Sequence, residues 1–111
     1  MDCLFCKIIE GSIPSKKAYE DDKIFAFYDI APQAPVHILV IPKAHIASVS
    51  EVSADNSAVV GHIFEVISKL ARELGLDSYR VVSNIGEQAG QSVFHLHFHV
   101  LSGRDMTWPP G

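Results

Sequence analysis

The sequence has 111 residues and a mass of 12.2 kDa, the size of one compact domain, so we expect a single domain over residues 1–111. Hydrophobic residues make up 48% of the chain and charged residues 20%, which is typical of globular rather than disordered proteins. The net charge of -4 argues against binding to a nucleic-acid polymer, which requires a basic face, but it does not exclude a single nucleotide as ligand.

The sequence also argues against membrane attachment and export. No apolar run approaches the roughly 20 residues that span a membrane. The first residues lack the basic segment and long apolar stretch of a secretory signal. We therefore expect a cytoplasmic protein with no membrane contact, whose two cysteines stay reduced or bind a metal.

A short helix is predicted at 4–10, where an apolar segment precedes a glycine. Strands are predicted at 24–28 and 36–41, the second nearly continuous in apolar residues and therefore covered on both faces. One long helix is predicted to begin at 53–55, because the apolar residues that follow recur at spacings of three and four. Gly75 suits the left-handed position at its C-terminus.

Two further strands are predicted, at 79–84 and 93–101, on either side of a glycine-containing loop at 86–91. The last residues, 108–111, contain two prolines and cannot extend a helix or a central strand. Together these elements predict an α+β fold, in which one long helix backs an antiparallel sheet.

The final predicted strand carries three histidines at alternate positions, His95, His97 and His99. Because side chains alternate between the faces of a strand, the three rings would share one face while the intervening apolar residues dock on the core. Packing does not require three titratable rings, so we interpret the row as functional. It would serve either a metal site or nucleophilic and acid–base chemistry on a phosphate. The isolated His62 is interpreted as a solvated or hydrogen-bonded side chain.

The loop before this strand favours the phosphate interpretation. It offers the side-chain amide of Asn84, backbone N–H groups near Gly90 and the hydroxyl of Ser92, which are neutral donors suited to an anion. A metal site would need further ligands, preferably an acidic residue, and the outer histidines of a straight strand lie too far apart to share one ion.

Residues 95–101, His-Leu-His-Phe-His-Val-Leu, match the signature of the histidine triad (HIT) family. Segments at 29–37, 41–45, 90–93 and 108–111 resemble the Hint branch of that family, and the resemblance extends from about Asp2 to Gly111. It implies a HIT-like fold, with an antiparallel sheet of about five strands, one long helix and a short N-terminal helix. It also implies a homodimer with a continuous sheet.

Members of the Hint branch are purine nucleoside phosphoramidases. The resemblance implies hydrolysis of the P–N bond of nucleoside 5′-phosphoramidates, with release of AMP or GMP from a covalent nucleotidyl-histidine. It implies the same mechanism for related aminoacyl or lysyl adenylates. No cofactor would be required for this catalysis. Three alternatives remain: a nucleotide-binding regulator with incidental hydrolysis, a diadenosine-polyphosphate hydrolase of the neighbouring branch, and a metal-dependent enzyme built on the histidine row.

By the same resemblance, His97 is the nucleophile that attacks the α-phosphorus. His37 contacts the nucleophilic ring and fixes its tautomer, and His99 contacts the phosphate. His95 has a more structural role in ordering the catalytic site. Ser92 contacts the bridging atom or the leaving group.

The remaining implied contacts are with the nucleotide. Asp29 would accept hydrogen bonds from both ribose hydroxyls. Backbone N–H groups of Gln91 and Ser92, in the loop that contains Gly90, would hold the phosphate together with Asn84. Trp108 would reach the active site of the partner subunit. The base slot would be lined by Leu4, Phe5, Ile8, Ile13, Phe27 and Ile30.

Cys3 and Cys6 have the spacing of a zinc-binding pair, but one such pair is only half of a site. Some histidine-triad relatives complete it with two histidines whose counterparts here are His45 and His95. Structural zinc, free thiols and a disulfide all remain open. Zinc at this place would anchor the N-terminus to the histidine strand rather than activate water, because four protein ligands leave no open position.

Overall fold

The computed structural model describes residues 3–111. Its helices are α1 (Leu4–Glu10) and α2 (Ser57–Glu73), and short 3-10 turns lie at Val49–Glu51 and Glu87–Ala89. Its strands are β1 (Lys17–Glu20), β2 (Ile24–Tyr28), β3 (Val36–Pro42), β4 (Arg80–Val82) and β5 (Phe98–Ser102). Over these residues no helix has the length and apolar character needed to cross a membrane.

The strands form one antiparallel sheet in the order β1-β2-β3-β5-β4. On one face α2 packs in the main core, where Ile63 and Ile67 join Leu96 and Val100. On the other face α1 packs in a second apolar cluster through Phe5. The predicted α+β architecture, with five antiparallel strands, one long helix and a short N-terminal helix, is confirmed.

The central strand β3 is covered on both faces, as its continuous apolar sequence predicts. Ile38 and Val40 belong to the main core under α2, whereas Leu39 and Ile41 belong to the second cluster under α1. Because successive residues of a strand point to opposite faces, this strand links the two clusters. It extends one residue beyond the prediction, to Pro42.

The predicted start of the long helix at 53–55 is wrong, because α2 begins at Ser57. The preceding residues form a turn that leads into the helix, in which the Ser53 N–H donates to Asn56 Oδ1 at 2.8 Å and the Ser53 carbonyl accepts from the Asn56 and Ser57 N–H groups. The C-terminal prediction is confirmed, since Gly75 adopts a φ of +69° immediately after the helix.

Three strands of the structure differ from the prediction. Strand β1 was not predicted, because Lys-Ala-Tyr-Glu carries only a weak apolar alternation. The strand expected at 79–84 is shorter, and the one expected at 93–101 begins only at Phe98. Before that residue the chain leaves the ladder, and the Leu96 N–H donates instead to the Ile46 carbonyl. The histidine row therefore lies partly on the segment that leads into the strand.

His62 on α2 connects the helix to the turn between β1 and β2. Its Nε2 lies 2.7 Å from Asp21 Oδ2, and its Nδ1 lies 3.0 Å from Glu65 Oε1. Both carboxylates accept hydrogen bonds, and only the protonated ring has two N–H donors for them, so these contacts favour the imidazolium form. The hydrogen bond to Asp21, followed by that to Glu65, raises the pKa of His62.

We expect this contact to stabilise the fold at mildly acidic pH. The folded protein binds the His62 proton more tightly than the unfolded chain, whose histidine pKa is about 6.5. The contribution is therefore complete below that pH and is lost as pH rises through the raised pKa of the folded state. Because the pair is partly exposed, His62→Gln should remove no more than about 1 kcal/mol.

The measurement is urea denaturation of wild type and His62→Gln between about pH 5.5 and 8.5. The difference in free energy of unfolding between the two proteins should shrink as pH rises. A difference that stays constant across this range would show that the His62 proton makes no contribution.

Candidate active site

A cavity of about 260 Å³ opens on the face of the sheet that carries α1. Its apolar wall contains all six residues predicted for the base slot: Leu4, Phe5, Ile8, Ile13, Phe27 and Ile30. Its polar wall contains Asp29, Ser92, His97 and His99. The cavity thus joins an apolar slot to a row of hydrogen-bonding groups, as a ligand with an aromatic ring and an anionic group requires.

The histidine row faces this cavity side of the sheet. The ring centroids of His97 and His99 are 5.1 Å apart, and the Phe5 ring packs edge-on against His97 at 5.1 Å. The intervening residues Leu96 and Phe98 belong to the main core under α2. The predicted alternation of faces is confirmed, although the first two histidines precede the paired part of β5.

His97 is buried and held in one tautomer. Its Nδ1 lies 2.7 Å from the carbonyl oxygen of His95. A carbonyl only accepts hydrogen bonds, so Nδ1 carries the proton, and Nε2 of the neutral ring keeps its lone pair. The ring therefore offers a nucleophilic nitrogen in the wall of the cavity.

His37 contacts His99, and the prediction that it contacts the nucleophilic ring of His97 is wrong. The backbone N–H of Gln33 donates to His37 Nδ1 at 3.0 Å, so the proton of the neutral ring lies on Nε2. His37 Nε2–H then donates to His99 Nδ1 at 2.9 Å. In neutral His99 the proton is consequently on Nε2, which makes that nitrogen a donor.

The chain of hydrogen bonds from Gln33 N–H through His37 to His99 forms a relay. Both of its rings are neutral at pH 7. Burial lowers the pKa of His99 to about 4, with further contributions from His97 and His37. Burial likewise lowers the pKa of His37, against the opposing effect of Asp29. The relay therefore transmits a fixed tautomer rather than a positive charge.

Asp29 caps its loop and faces the cavity. Its Oδ1 accepts the Ala31 N–H at 2.8 Å, and its Oδ2 lies 3.5 Å from His37 Nε2. Each carboxylate oxygen accepts more than one hydrogen bond, so the cap leaves acceptor capacity toward the cavity. Loop capping and ligand binding are compatible roles for this residue.

Gln91 holds the glycine-containing loop in place. One of the backbone donors predicted for this loop is not available to a ligand. The Gln91 N–H donates to the Gly86 carbonyl at 3.0 Å, so this amide is already bonded, contrary to the prediction that it holds phosphate. Its buried side chain donates to the carbonyls of Ala47 and Val93 and accepts from the Gly86 N–H. Gln91 therefore shapes the loop, whereas Ser92 lines the cavity.

Asn84 and Gly90 contact each other at the edge of this loop. Gly90 has a φ of +99°, and a Cβ there would lie 3.5 Å from the Asn84 side-chain nitrogen. This backbone conformation favours glycine. Both residues were predicted to bind the nucleotide, but neither is part of the cavity wall.

A second polar cluster lies beside the histidine row. One ligand atom each from Cys3, Cys6, His45 and His95 lies within 4.8 Å of the other three. Bound zinc, with bonds of about 2.3 Å to sulfur and 2.0–2.1 Å to nitrogen, separates its ligand atoms by roughly 3.3–3.8 Å. The separations between these ligand atoms fall close to that range, from 3.2 Å between the two histidine nitrogens to 3.5 Å between Cys6 Sγ and His45 Nδ1.

The arrangement around His95 fits a cation better than hydrogen bonds. Its Nε2–H donates to the Pro42 carbonyl at 2.8 Å, so Nδ1 of the neutral ring carries a lone pair. Cys3 Sγ, Cys6 Sγ and His45 Nδ1 all lie 3.2–3.5 Å from that nitrogen. One lone pair accepts one good hydrogen bond, whereas an ion among the four atoms would engage all of them.

Asp29, His37 and His99 form another group with metal-ligand spacing, but the hydrogen bonds explain it fully. Because Gln33 N–H occupies His37 Nδ1, the other nitrogen of this ring bears the proton and has no lone pair for an ion. The group is therefore the relay described above rather than a second metal site.

The sequence missed several residues of the cavity wall. The wall includes Pro14, Ser15, Tyr28, Leu39 and Val93, none of which was predicted. Alternation along β3 and along the histidine segment could have identified Leu39 and Val93. Trp108, 82% exposed, lies in no part of this chain's cavity wall, so its predicted role requires a second subunit.

Comparison with known proteins agrees with this geometry. The HIT domain family model matches residues 10–106. An uncharacterized HIT-like protein of Synechococcus elongatus is 50% identical over 111 residues, covering 99% of this chain and 97% of the relative. A HIT family hydrolase from Legionella pneumophila aligns with a TM-score of 0.96 at 50% identity, covering 99% of this chain and all of that one. A histidine triad protein from Clostridium difficile aligns with a TM-score of 0.92 at 49% identity, over 96% and 95% of the two chains.

Proposed function

The chain belongs to the HIT domain family, and from this premise we propose that it is a purine nucleoside phosphoramidase of the Hint branch. It hydrolyses the P–N bond of nucleoside 5′-phosphoramidates to release AMP or GMP, and it also hydrolyses related aminoacyl or lysyl adenylates at the bond between the phosphorus and the leaving oxygen. The observation that carries this proposal is the bond from His97 Nδ1–H to the His95 carbonyl, which leaves Nε2 free as a nucleophile in the cavity wall.

The reaction has two displacement steps. His97 Nε2 attacks the α-phosphorus, the P–N bond breaks, and the nitrogen leaves with the bonding electron pair and takes up a proton from solvent water. The phosphorylated ring still carries its Nδ1 proton and is positively charged, and the His95 carbonyl oxygen at 2.7 Å stabilises that charge. Water then attacks the phosphorus and gives up a proton to solvent, which replaces the proton taken by the leaving nitrogen. The P–Nε2 bond breaks, and its electrons return to the ring as the nucleotide leaves.

The other groups of the polar wall stabilise the transition states. His99 Nε2–H, fixed by the relay, donates to a phosphate oxygen, where negative charge accumulates. The Ser92 hydroxyl donates to the leaving nitrogen. Burial keeps the pKa of His99 near 4, so at pH 7 it acts as a neutral donor.

Asp29 accepts hydrogen bonds from the ribose hydroxyls. We expect Asp29→Asn to raise KM for adenosine 5′-phosphoramidate about tenfold, since hydrogen bonds to charged groups contribute about 1.5–3 kcal/mol. Asparagine keeps an oxygen that accepts the Ala31 N–H, so the loop cap persists. The comparison is the 2′,3′-dideoxy substrate, for which the variant and the wild type should have similar KM values. An equal loss with both substrates would assign Asp29 to loop structure alone.

A structural zinc ion held by Cys3, Cys6, His45 and His95 is part of the proposal. The four ligand atoms converge with spacings that suit this ion, and burial, together with the neighbouring Cys3 thiol, raises the pKa of Cys6 to about 11. A cation is therefore needed to hold the Cys6 sulfur as a thiolate. Zinc with four protein ligands supplies structural cross-linking and has no position for substrate. We place the enzyme in the cytoplasm, where such thiols stay reduced.

A homodimer with a continuous sheet completes the proposal. Strand β4 forms one edge of the sheet and pairs on one side only, with β5. Large apolar side chains remain exposed in the single chain, among them Phe64 and Phe94 at 47% each and Trp108 at 82%. Burial of such side chains between two subunits would be favourable.

The experiment is incubation of the protein with adenosine 5′-phosphoramidate or diadenosine tetraphosphate, each with and without a chelator. We expect AMP from the phosphoramidate, at a rate that survives brief chelation. Preference for the dinucleotide would move the chain to the neighbouring branch. Tight AMP binding without turnover would make it a regulator, and turnover that requires added metal would contradict covalent histidine catalysis.

A further inference from the structure

We propose that the cluster of Cys3, Cys6, His45 and His95, when it holds a metal ion, positions the nucleophile and the base slot of the neighbouring cavity. In this role the ion takes no part in the chemistry. It fixes the residues that hold His97 and Phe5 in place. The inference rests on the proposed phosphoramidase function for its kinetic consequences, but its structural consequences are independent of that function.

The first connection runs through His95, which has three attachments. Its Nδ1 faces the cluster, its Nε2–H donates to the Pro42 carbonyl at 2.8 Å, and its own carbonyl accepts the His97 Nδ1–H at 2.7 Å. The His95 side chain is fully buried. Because the same residue ligates the ion and fixes the tautomer of His97, a displacement of the His95 ring would also displace the carbonyl that orients the nucleophile.

The second connection runs through α1. Cys3 is the N-cap of this helix, with its Sγ accepting from the Cys6 N–H at 3.4 Å, so both cluster cysteines belong to the first turn. Phe5 lies between them in sequence and contacts the His97 ring at 5.1 Å and the Phe27 ring at 5.4 Å. A cross-link at the two cysteines therefore fixes the wall of the base slot.

The cross-link matters because α1 has only seven residues. Isolated helices shorter than about 12–15 residues are marginal in water, so tertiary contacts must hold this one in place. Burial of Phe5 and Ile8 supplies part of the attachment, and the protein should therefore fold without the ion. Without it, the Phe5 ring still contacts the His95 ring at a centroid distance of 6.0 Å, but no metal bonds fix the two cysteines to His45 and His95.

The test uses His45→Gln, because His45 is the exposed ligand and its replacement leaves the core intact. Ala44→Gln introduces the same side chain at the adjacent exposed position and is the matched control. Both proteins are purified in parallel with wild type, and zinc per chain is measured by atomic emission. We expect one zinc in wild type and Ala44→Gln, and far less in His45→Gln.

Four measurements test whether loss of the metal ion disturbs the nucleophile and the base slot. In ¹⁵N-histidine NMR spectra the His97 Nδ1–H signal should be sharp in wild type and exchange-broadened in His45→Gln. The Cys3 thiol should be protected in the zinc-loaded protein and should react with a thiol reagent in His45→Gln. The Kd for AMP should rise about tenfold, as when a supporting shell of a site is lost. kcat should fall by a similar factor, and Ala44→Gln should match wild type throughout.

Two results would overturn the inference. One is a wild-type protein that takes up no zinc when excess metal is supplied to the reduced chain. The other is a zinc-poor His45→Gln that keeps the His97 signal and the wild-type AMP affinity. Failure of the proposed function looks different, because a protein with no phosphoramidase activity would still show the metal-dependent NMR signal and AMP affinity.

Discussion

Replacing His97 with glycine is expected to lower kcat for adenosine 5′-phosphoramidate by at least about 10⁴-fold, the scale on which loss of a nucleophilic group acts. His97 is the ring whose protonated Nδ1 is bonded to a backbone carbonyl, so of the two histidines in the cavity wall it is the one that keeps a nitrogen lone pair on Nε2. His99 cannot replace it, because His37 donates to its Nδ1 and leaves a proton on the other nitrogen. The measurement is steady-state release of AMP.

Two controls separate lost chemistry from lost structure. The AMP affinity of His97→Gly should stay within a few-fold of wild type, since the apolar slot and Asp29 remain. Added imidazole should restore part of the turnover by occupying the space vacated by the ring. Wild-type kcat in this variant would refute the assignment of the nucleophile.

Replacing His37 with leucine is expected to lower kcat about 10²-fold, which is the typical cost of one misdirected transition-state donor. His37 Nε2–H fixes the proton of His99 on the nitrogen that faces the phosphate. Leucine removes that donor, so the proton of His99 becomes free to occupy either nitrogen. KM should change little, because His37 is not part of the cavity wall.

His37→Gln is the matched variant for this prediction. Its side-chain amide retains an N–H that is able to donate to His99 Nδ1, so activity should lie between that of leucine and wild type. Histidine NMR should show a mixture of His99 tautomers in His37→Leu and a single tautomer in wild type. A leucine variant with wild-type kcat and an unchanged His99 spectrum would show that the relay has no catalytic role.

Much of the fold was predictable because its strongest signals are periodic. The apolar run at 36–41 predicted a strand covered on both faces, and α1 and α2 cover them. The three- and four-residue spacing predicted α2, and Gly75 marked its end. Strand β1 escaped prediction because it is an edge strand of four residues that is partly solvent-exposed, so its sequence carries little apolar pattern.

The site was predictable in its residue types but less so in its contacts. Alternation along the histidine segment placed the three rings on one face, and the base-slot residues line the cavity. The partner of His37 could not be derived, because it depends on register: Leu39 pairs with His99, and His37 with Leu101. The bond of the Gln91 N–H to Gly86 likewise depends on loop geometry that no spacing encodes.

The metal cluster illustrates the same limit. Its four residues were identifiable by resemblance, but the sequence left zinc, thiols and a disulfide open. Only the three-dimensional arrangement shows that three ligand atoms approach the Nδ1 of His95 while its Nε2–H is bonded elsewhere. Convergence of this kind is a property of tertiary structure, because Cys3 and His95 lie 92 positions apart.

The most direct test of the proposed mechanism is a crystal structure of the protein with AMP bound. The proposed mechanism places the base between α1 and Ile30, the ribose at Asp29, and His97 Nε2 about 3–3.5 Å from the phosphorus. The bond between His97 Nδ1 and the His95 carbonyl should be retained. A phosphorus atom facing another group, or a His97 ring turned so that Nε2 points into the protein interior, would contradict the assignment of His97 as the nucleophile.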